Sequence, residues 1–303
     1  MHEPVMVDEV LEHLDPSRGG IFVDCTVGLG GHATRVLDGG ATRLIGFDRD
    51  EAALALAGAT LAPFGDRVTL VHSDYRHLDE VLDRLGIGQV DGILADLGVS
   101  SMQLDGDGRG FSFRRDEPLD MRMDRSTGPT VAEALRTVDE QDLADLIFRF
   151  GEERFSRRIA RAITGAGGSI ETTGQLADLV RRAVPRKGWS RIDPATRTFQ
   201  ALRIWINREL DDLDSFVTGA ARRLLPGGRL VVIAFHSLED RIVKHTLRGL
   251  QADETSGVRI RTKRPLVPTD AEVERNPRAR SAKLRAAERT GPELSGPTPV
   301  TGS

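Results

Sequence analysis

A chain of 303 residues, 39% hydrophobic, 29% charged and with a net charge of −4, has enough apolar mass for one large globular domain or two ordinary ones. No apolar run reaches the length of a membrane span, and the start His2-Glu3-Pro4-Val5 carries an acid where a secretory signal needs a basic start and an apolar core, so a cytoplasmic protein is expected. The single cysteine, Cys25, excludes a disulfide framework, and seven scattered histidines offer no ligand spacing, so no metal is expected.

In chain order, Val7, Val10, Leu11 and Leu14 mark a first amphipathic helix. Strands follow at Ile21-Phe22-Val23, Leu44-Ile45-Gly46-Phe47, Val68 to Val71 and Val90 to Leu97, with helices at about Glu51 to Leu61 and Leu78 to Leu85 between them. Strands alternating with helices imply a parallel sheet covered on both faces. After Leu97 the rhythm changes: residues 105 to 128 are rich in Gly, Asp and Arg, and the stretch from Thr130 to about Val184 holds only helical patterns, broken at Gly165-Ala166-Gly167-Gly168-Ser169. Phe199, Leu202, Ile206, Leu210, Leu213 and Val217 then line one face of a single long helix, Leu225-Pro226-Gly227-Gly228 is a turn, and Arg229 to Phe235 is a strand. The expected architecture is an α/β, doubly wound, Rossmann-like core made of residues 1–105 and 195–290. An all-helical domain, 106–194, is inserted in it, and 291–303 form a disordered tail.

Asp24-Cys25-Thr26-Val27-Gly28-Leu29-Gly30-Gly31-His32 closes the first strand with glycines that let backbone approach a ligand. Gly28, Gly30 and Ala33 satisfy a dinucleotide fingerprint, and Asp48 stands where a ribose-binding acid would, so an NAD site is open at this point. Against it, Asp24 opposes a pyrophosphate and suits the ammonium of a methionine moiety. Asp48, Asp74 and Asp96 add carboxylates at three further strand ends, and such acids suit a sulfonium cofactor. Cys25 reads as a small core residue.

The chain resembles the ribosomal RNA small subunit methyltransferase H family, also called MraW. The resemblance rests on Gly28-Leu29-Gly30-Gly31-His32, on Asp91-Gly92-Ile93-Leu94-Ala95-Asp96-Leu97-Gly98-Val99-Ser100-Ser101, and on Arg109-Gly110-Phe111-Ser112-Phe113. Further motifs are Pro118 to Asp124, Gly151-Glu152-Glu153-Arg154-Phe155, Pro194 to Arg203, Phe235 to Arg241 and Asn276 to Ser281. It implies S-adenosylmethionine as cofactor, held by Gly30, Gly31, His32, Asp48, Tyr75, Asp96 and Gln103, and methylation of N4 of a cytidine in the decoding region of 16S ribosomal RNA. The family often has Phe where Tyr75 stands, and either ring packs against adenine. Asp96 is also the candidate catalytic residue, as a carboxylate accepting a hydrogen from the target amine. The expected partner is 16S ribosomal RNA within the small ribosomal subunit, with a homodimer left open.

The charge is uneven: Arg149 to Arg208 holds 13 Lys/Arg against 5 Asp/Glu, and Val258 to Arg289 holds 10 against 4, enough to steer a polyanion. Arg154, Arg157, Arg158 and Arg161 fall at helical spacing, Trp189 sits among Arg186, Lys187 and Arg191, and His236 follows the fifth strand. Arg157, Arg158, Arg161, Trp189 and His236 are the candidate RNA contacts, although His236 could instead cap the next helix. Met121-Arg122-Met123 and the pair Phe111 and Phe113 suit either an RNA cleft or core packing. Three other functions compete: a methyltransferase of DNA or protein, disfavoured by Asp96-Leu97-Gly98-Val99 in place of an Asn/Asp-Pro-Pro-aromatic motif; a non-catalytic RNA-binding factor; and an NAD-dependent oxidoreductase.

Overall fold

The apolar runs of the first hundred residues form strands β1 (Ile21–Asp24), β2 (Arg43–Asp48), β3 (Val68–His72) and β4 (Val90–Asp96), interleaved with helices α1 (Val7–Leu14), α2 (Gly31–Asp38), α3 (Glu51–Leu61) and α4 (Leu78–Arg84). The structure, a computed structural model, describes residues 4–98, 108–185 and 193–291. Its chain divides into two compact units, one made of residues through Gly98 together with those from Asp212 onward, the other of the residues between. Gln103 and Trp189 lie outside the described residues, as does the segment 292–303. Among the described residues no helix is long and apolar enough to cross a membrane.

In the first unit the sheet continues with α10 (Leu213–Arg222), β5 (Leu224–Ala234), α11 (Ser237–Ala252), β6 (Val258–Ile260), α12 (Asp270–Arg275) and β7 (Lys283–Arg289), helix numbers counting described helices only. Seven strands run in the order β3-β2-β1-β4-β5-β7-β6. The pairs from β3 across to β5 are parallel, and β7 runs antiparallel to both β5 and β6. The strand order reverses between β1 and β4, so the crevice beyond their C-terminal ends is where such a sheet takes ligands. Phe22, Leu44, Leu94, Val231, Ile233 and Leu284 are all buried in its core, as near-continuous apolar strands covered on both faces must be.

The second unit is helical: α5 (Val131–Leu135), α6 (Glu140–Gly151), α7 (Ser156–Gly165), α8 (Thr173–Ala183) and α9 (Ala195–Asn207). Side chains set its helix starts. Thr130 with Glu133, and Thr172 with Gln175, form reciprocal capping boxes, and Asp139 accepts from the N–H of Gln141. Its core joins Leu143, Ile147, Ile159, Ile163, Leu176 and Val180.

Four features differ from the sequence reading. The long helix through Phe199 and Val217 is two helices, broken where Arg208 and Asp212 adopt left-handed backbone. α9, expected with the sheet, buries Ala195, Phe199, Ala201 and Leu202 in the helical core, and the units divide at Gly98 and Asp212. Leu225 to Gly228, expected as a turn ahead of the strand, fall inside β5, because pairing already begins with Leu224 opposite Val90 and resumes with Arg229 opposite Gly92. Finally, β6 and β7, read only as a basic segment, extend the sheet.

Candidate functional site

Three strand ends and the glycine loop build the site. Gly30 caps α2 in left-handed backbone at φ 85°, where a side chain would be strained, and a Cβ on Gly31 would lie 2.5 Å from Pro4 Cγ. These glycines therefore serve both the turn and the packing of the N-terminal segment upon it. Asp48, at the end of β2, fastens the loop: its Oδ2 accepts from the N–H of Gly28 at 2.8 Å and its Oδ1 from that of Asp50 at 2.9 Å. Burial raises the Asp48 carboxyl above its ordinary range, with those two N–H groups opposing. Each oxygen keeps a lone pair for a further donor.

At the reversal of strand order, Asp24 ends β1 and Asp96 ends β4. Thr26 ties them together: its N–H donates to Asp24 Oδ1 at 3.1 Å and its hydroxyl accepts from the Asp96 N–H at 2.7 Å. The His32 ring, on the first turn of α2, stands with Nε2 3.6 Å from Asp96 Oδ2, beyond good hydrogen-bond length. Among the described residues, Asp24 Oδ2, Asp96 Oδ1 and both His32 ring nitrogens are buried without hydrogen-bond partners. Burial pushes the Asp24 carboxyl up to about 7, against the field of His32. For His32, burial disfavours the cation, but Asp96 and Asp24 outweigh it and the imidazole is raised. Unsatisfied buried groups gathered in one crevice are matched by a polar ligand or ordered water, and the two carboxylates favour a cationic ligand.

Other expected residues sort differently. Asp74 faces two guanidiniums, Arg49 and Arg76, and although burial works to raise its carboxyl, they hold it down at about 2. It is a clamp for the turn after β3, and the acids with free valence at the strand ends are Asp24, Asp48 and Asp96. Tyr75, in that turn, is buried with its ring centroid 4.7 Å from that of Phe216. His236 caps α11, Nδ1 accepting from the N–H of Glu239 at 3.3 Å while Nε2 lies 3.1 Å from Glu239 Oε1. Arg157 and Arg158 are exposed and have no ion-pair partner among the described residues, whereas Arg161 lies 3.5 Å from Glu140. Met121 and Met123 are buried in the helical core, as is Phe111, and Arg122 pairs with Asp120. Phe113 packs edge-on against Phe199 at 4.7 Å. Thr26 escaped the sequence reading, although Asp-x-Thr after a strand is the signature of a side chain turning back on its own backbone.

Residues 1–290 match the MraW methylase family. A ribosomal RNA small subunit methyltransferase H from Sorangium cellulosum is 53% identical over 96% of this chain and 91% of its own length. Its counterpart from Geotalea uraniireducens is 49% identical over 95% of this chain and 98% of its own. A solved rRNA methylase structure from Streptococcus thermophilus is 13% identical, covers 96% of this chain and 99% of its own, and superposes with a TM-score of 0.42.

Proposed function

This chain belongs to the MraW methylase family, and from that premise we propose that it uses S-adenosylmethionine to methylate small-subunit ribosomal RNA, at N4 of a cytidine in the 16S decoding region. A cytoplasmic location and an RNA substrate held in the small ribosomal subunit belong to the same proposal. The observation that carries it is the group of buried, unpartnered atoms on Asp24, His32 and Asp96 beyond β1 and β4. Their charge fits a cationic ligand, and a cation beside Asp24 Oδ2 would stabilise the ionised carboxylate that burial now disfavours.

When bound, S-adenosylmethionine supplies a methyl group activated by the sulfonium charge. Asp48 offers its remaining lone pairs to ribose hydroxyls, Tyr75 offers an adenine-packing ring, and Asp24 faces the ammonium end. Gly30 and Gly31 allow the close backbone approach, and Gln103 completes the proposed set. The target amine is a poor nucleophile because its lone pair is delocalised into the cytosine ring. Asp96 Oδ1 accepts one amine hydrogen, drawing the nitrogen toward sp³ geometry and taking up the proton it loses. The base reaches that carboxylate only when out of its stack or already single-stranded, and alignment of the reactants supplies much of the rate.

Two outcomes are expected. Asp48→Ala removes ribose acceptors and unties Gly28, so S-adenosylmethionine affinity by calorimetry falls by about tenfold or more, since charge-assisted hydrogen bonds contribute about 1.5–3 kcal/mol each. Unchanged affinity contradicts the assignment. For the helical unit, Arg157, Arg158 and Arg161 replaced together by Ala lower RNA affinity and flatten its salt dependence by up to about 0.7–0.9 in log–log slope per lost phosphate contact. Cofactor affinity stays as in the wild type. An unaltered slope makes these arginines merely solvated. Trp189 and His236 remain proposed RNA contacts, His236 in addition to its capping role.

A further inference from the structure

The second basic segment, Val258 to Arg289, has no part in the proposed methyl transfer, and the fold sorts eight of its ten cations into two groups. Arg259 and Arg261 both pair with Glu288, Lys283 and Arg285 pair with Asp240, and Arg289 donates to the carbonyls of Arg222 and Leu224. These are consumed by the unit's own structure. Lys263, Arg264 and Arg280 are exposed and have no ion-pair or hydrogen-bond partner for their side chains among the described residues.

Their placement follows from register. Arg261 N–H donates to the Ala286 carbonyl at 2.8 Å, the Thr262 hydroxyl accepts from the Ala286 N–H at 2.9 Å, and Leu266 N–H donates to the Leu284 carbonyl at 3.0 Å. While β7 advances from Ala286 to Leu284, the facing chain advances from Arg261 to Leu266, so Lys263, Arg264 and Pro265 are looped out. The row then crosses the sheet: Leu266 opposes Leu284, Leu284 opposes Ile233, and Ile233 opposes Asp96. At about 4.8 Å per strand Leu266, which closes that loop, lies roughly 15 Å from Asp96 on the same row of the sheet. Arg280 sits in the turn Pro277–Ser281, which enters β7 at Lys283, opposite Ala234 at the C-terminal end of β5. The unneutralised cations of this segment therefore gather toward the edge of the sheet from which Asp96 projects.

We infer that Lys263, Arg264 and Arg280 form a phosphate-binding surface of the methyltransferase unit itself, gripping the RNA strand that flanks the target nucleotide. The inference rests on the proposed RNA substrate. It places part of the electrostatic grip beside the chemistry, independently of the helical unit's arginines. Phosphate contacts of this kind fix register without reading sequence.

The test is a salt titration of binding to a small-subunit rRNA fragment carrying the decoding region, comparing the wild type with Lys263→Ala/Arg264→Ala/Arg280→Ala. Three lost contacts at about 0.7 each for a single strand lower the log–log slope by about 2. The charge-keeping variant Lys263→Arg/Arg264→Lys/Arg280→Lys keeps the wild-type slope. Unchanged melting temperature and S-adenosylmethionine affinity in the triple-Ala variant, with the slope lost, support the surface. A wild-type slope in that variant overturns it and leaves the three side chains as solvated charges guarding an edge strand. A wild type that binds the fragment with no salt dependence at all overturns the RNA reading, a result distinct from failure of this surface alone.

Discussion

Asp96→Asn is expected to slow single-turnover methylation at saturating S-adenosylmethionine by about 10²-fold or more, the loss usual when a positioned proton acceptor is removed. Asn keeps the shape of the side chain, and the backbone stays fixed because the Thr26 hydroxyl accepts from the Asp96 N–H and not from its carboxyl. What changes is charge. The buried Oδ1, which has no partner among the described residues, no longer belongs to a carboxylate able to take an amine proton. The favourable field on His32, whose imidazole the neighbouring carboxylates raise against the cost of burial, is weakened as well. A near wild-type rate with weakened cofactor binding would instead make Asp96 a cofactor ligand only.

Asn207→Ala is expected to destabilise the helical unit by about 3 kcal/mol or more. Asn207 is buried at the end of α9. Its Oδ1 accepts from the Met123 N–H at 2.7 Å, and its Nδ2 donates to the carbonyls of Met121 at 2.7 Å and Arg203 at 2.9 Å. The side chain thus holds the segment around Met121, a fully buried residue in left-handed backbone at φ 60°, against the helix. Removing it withdraws hydrogen bonds from buried backbone groups at about 1–3 kcal/mol each, and the strained turn loses its brace. Denaturant unfolding, with hydrogen exchange of the α9 amides to localise the effect, checks this. A loss under about 0.5 kcal/mol, as for an ordinary surface position, would contradict it.

Much of the candidate crevice was legible because its acids sit at strand ends, and strand ends are marked by a local switch from apolar run to Gly and Asp. Asp24, Asp48 and Asp96 were readable in this way. Asp74 looked the same in sequence, but its partners Arg49 and Arg76 are supplied by the turn and by the end of a neighbouring strand, so its neutralisation is a tertiary fact. Lys283-Leu284-Arg285-Ala286-Ala287-Glu288-Arg289 has the composition of a helix, and only pairing with β5 and β6 makes it a buried strand. β6 is three residues long, too short for any alternation to register. The break between α9 and α10 carries no Gly or Pro, and the apolar period continues across it, so nothing local announced the left-handed turns at Arg208 and Asp212. Met121-Arg122-Met123 was ambiguous for a similar reason: an apolar-basic mix suits an RNA cleft or a core, and burial decided for the core in both methionines.

The most direct measurement is nucleoside analysis by mass spectrometry after the purified protein has been incubated with methyl-labelled S-adenosylmethionine and small ribosomal subunits or 16S ribosomal RNA from cells lacking the enzyme. Label is expected in N4-methylcytidine from the decoding region, and is expected to be lost with Asp96→Asn. Label in any other nucleoside, or none with either substrate while the protein still binds S-adenosylmethionine, would contradict it.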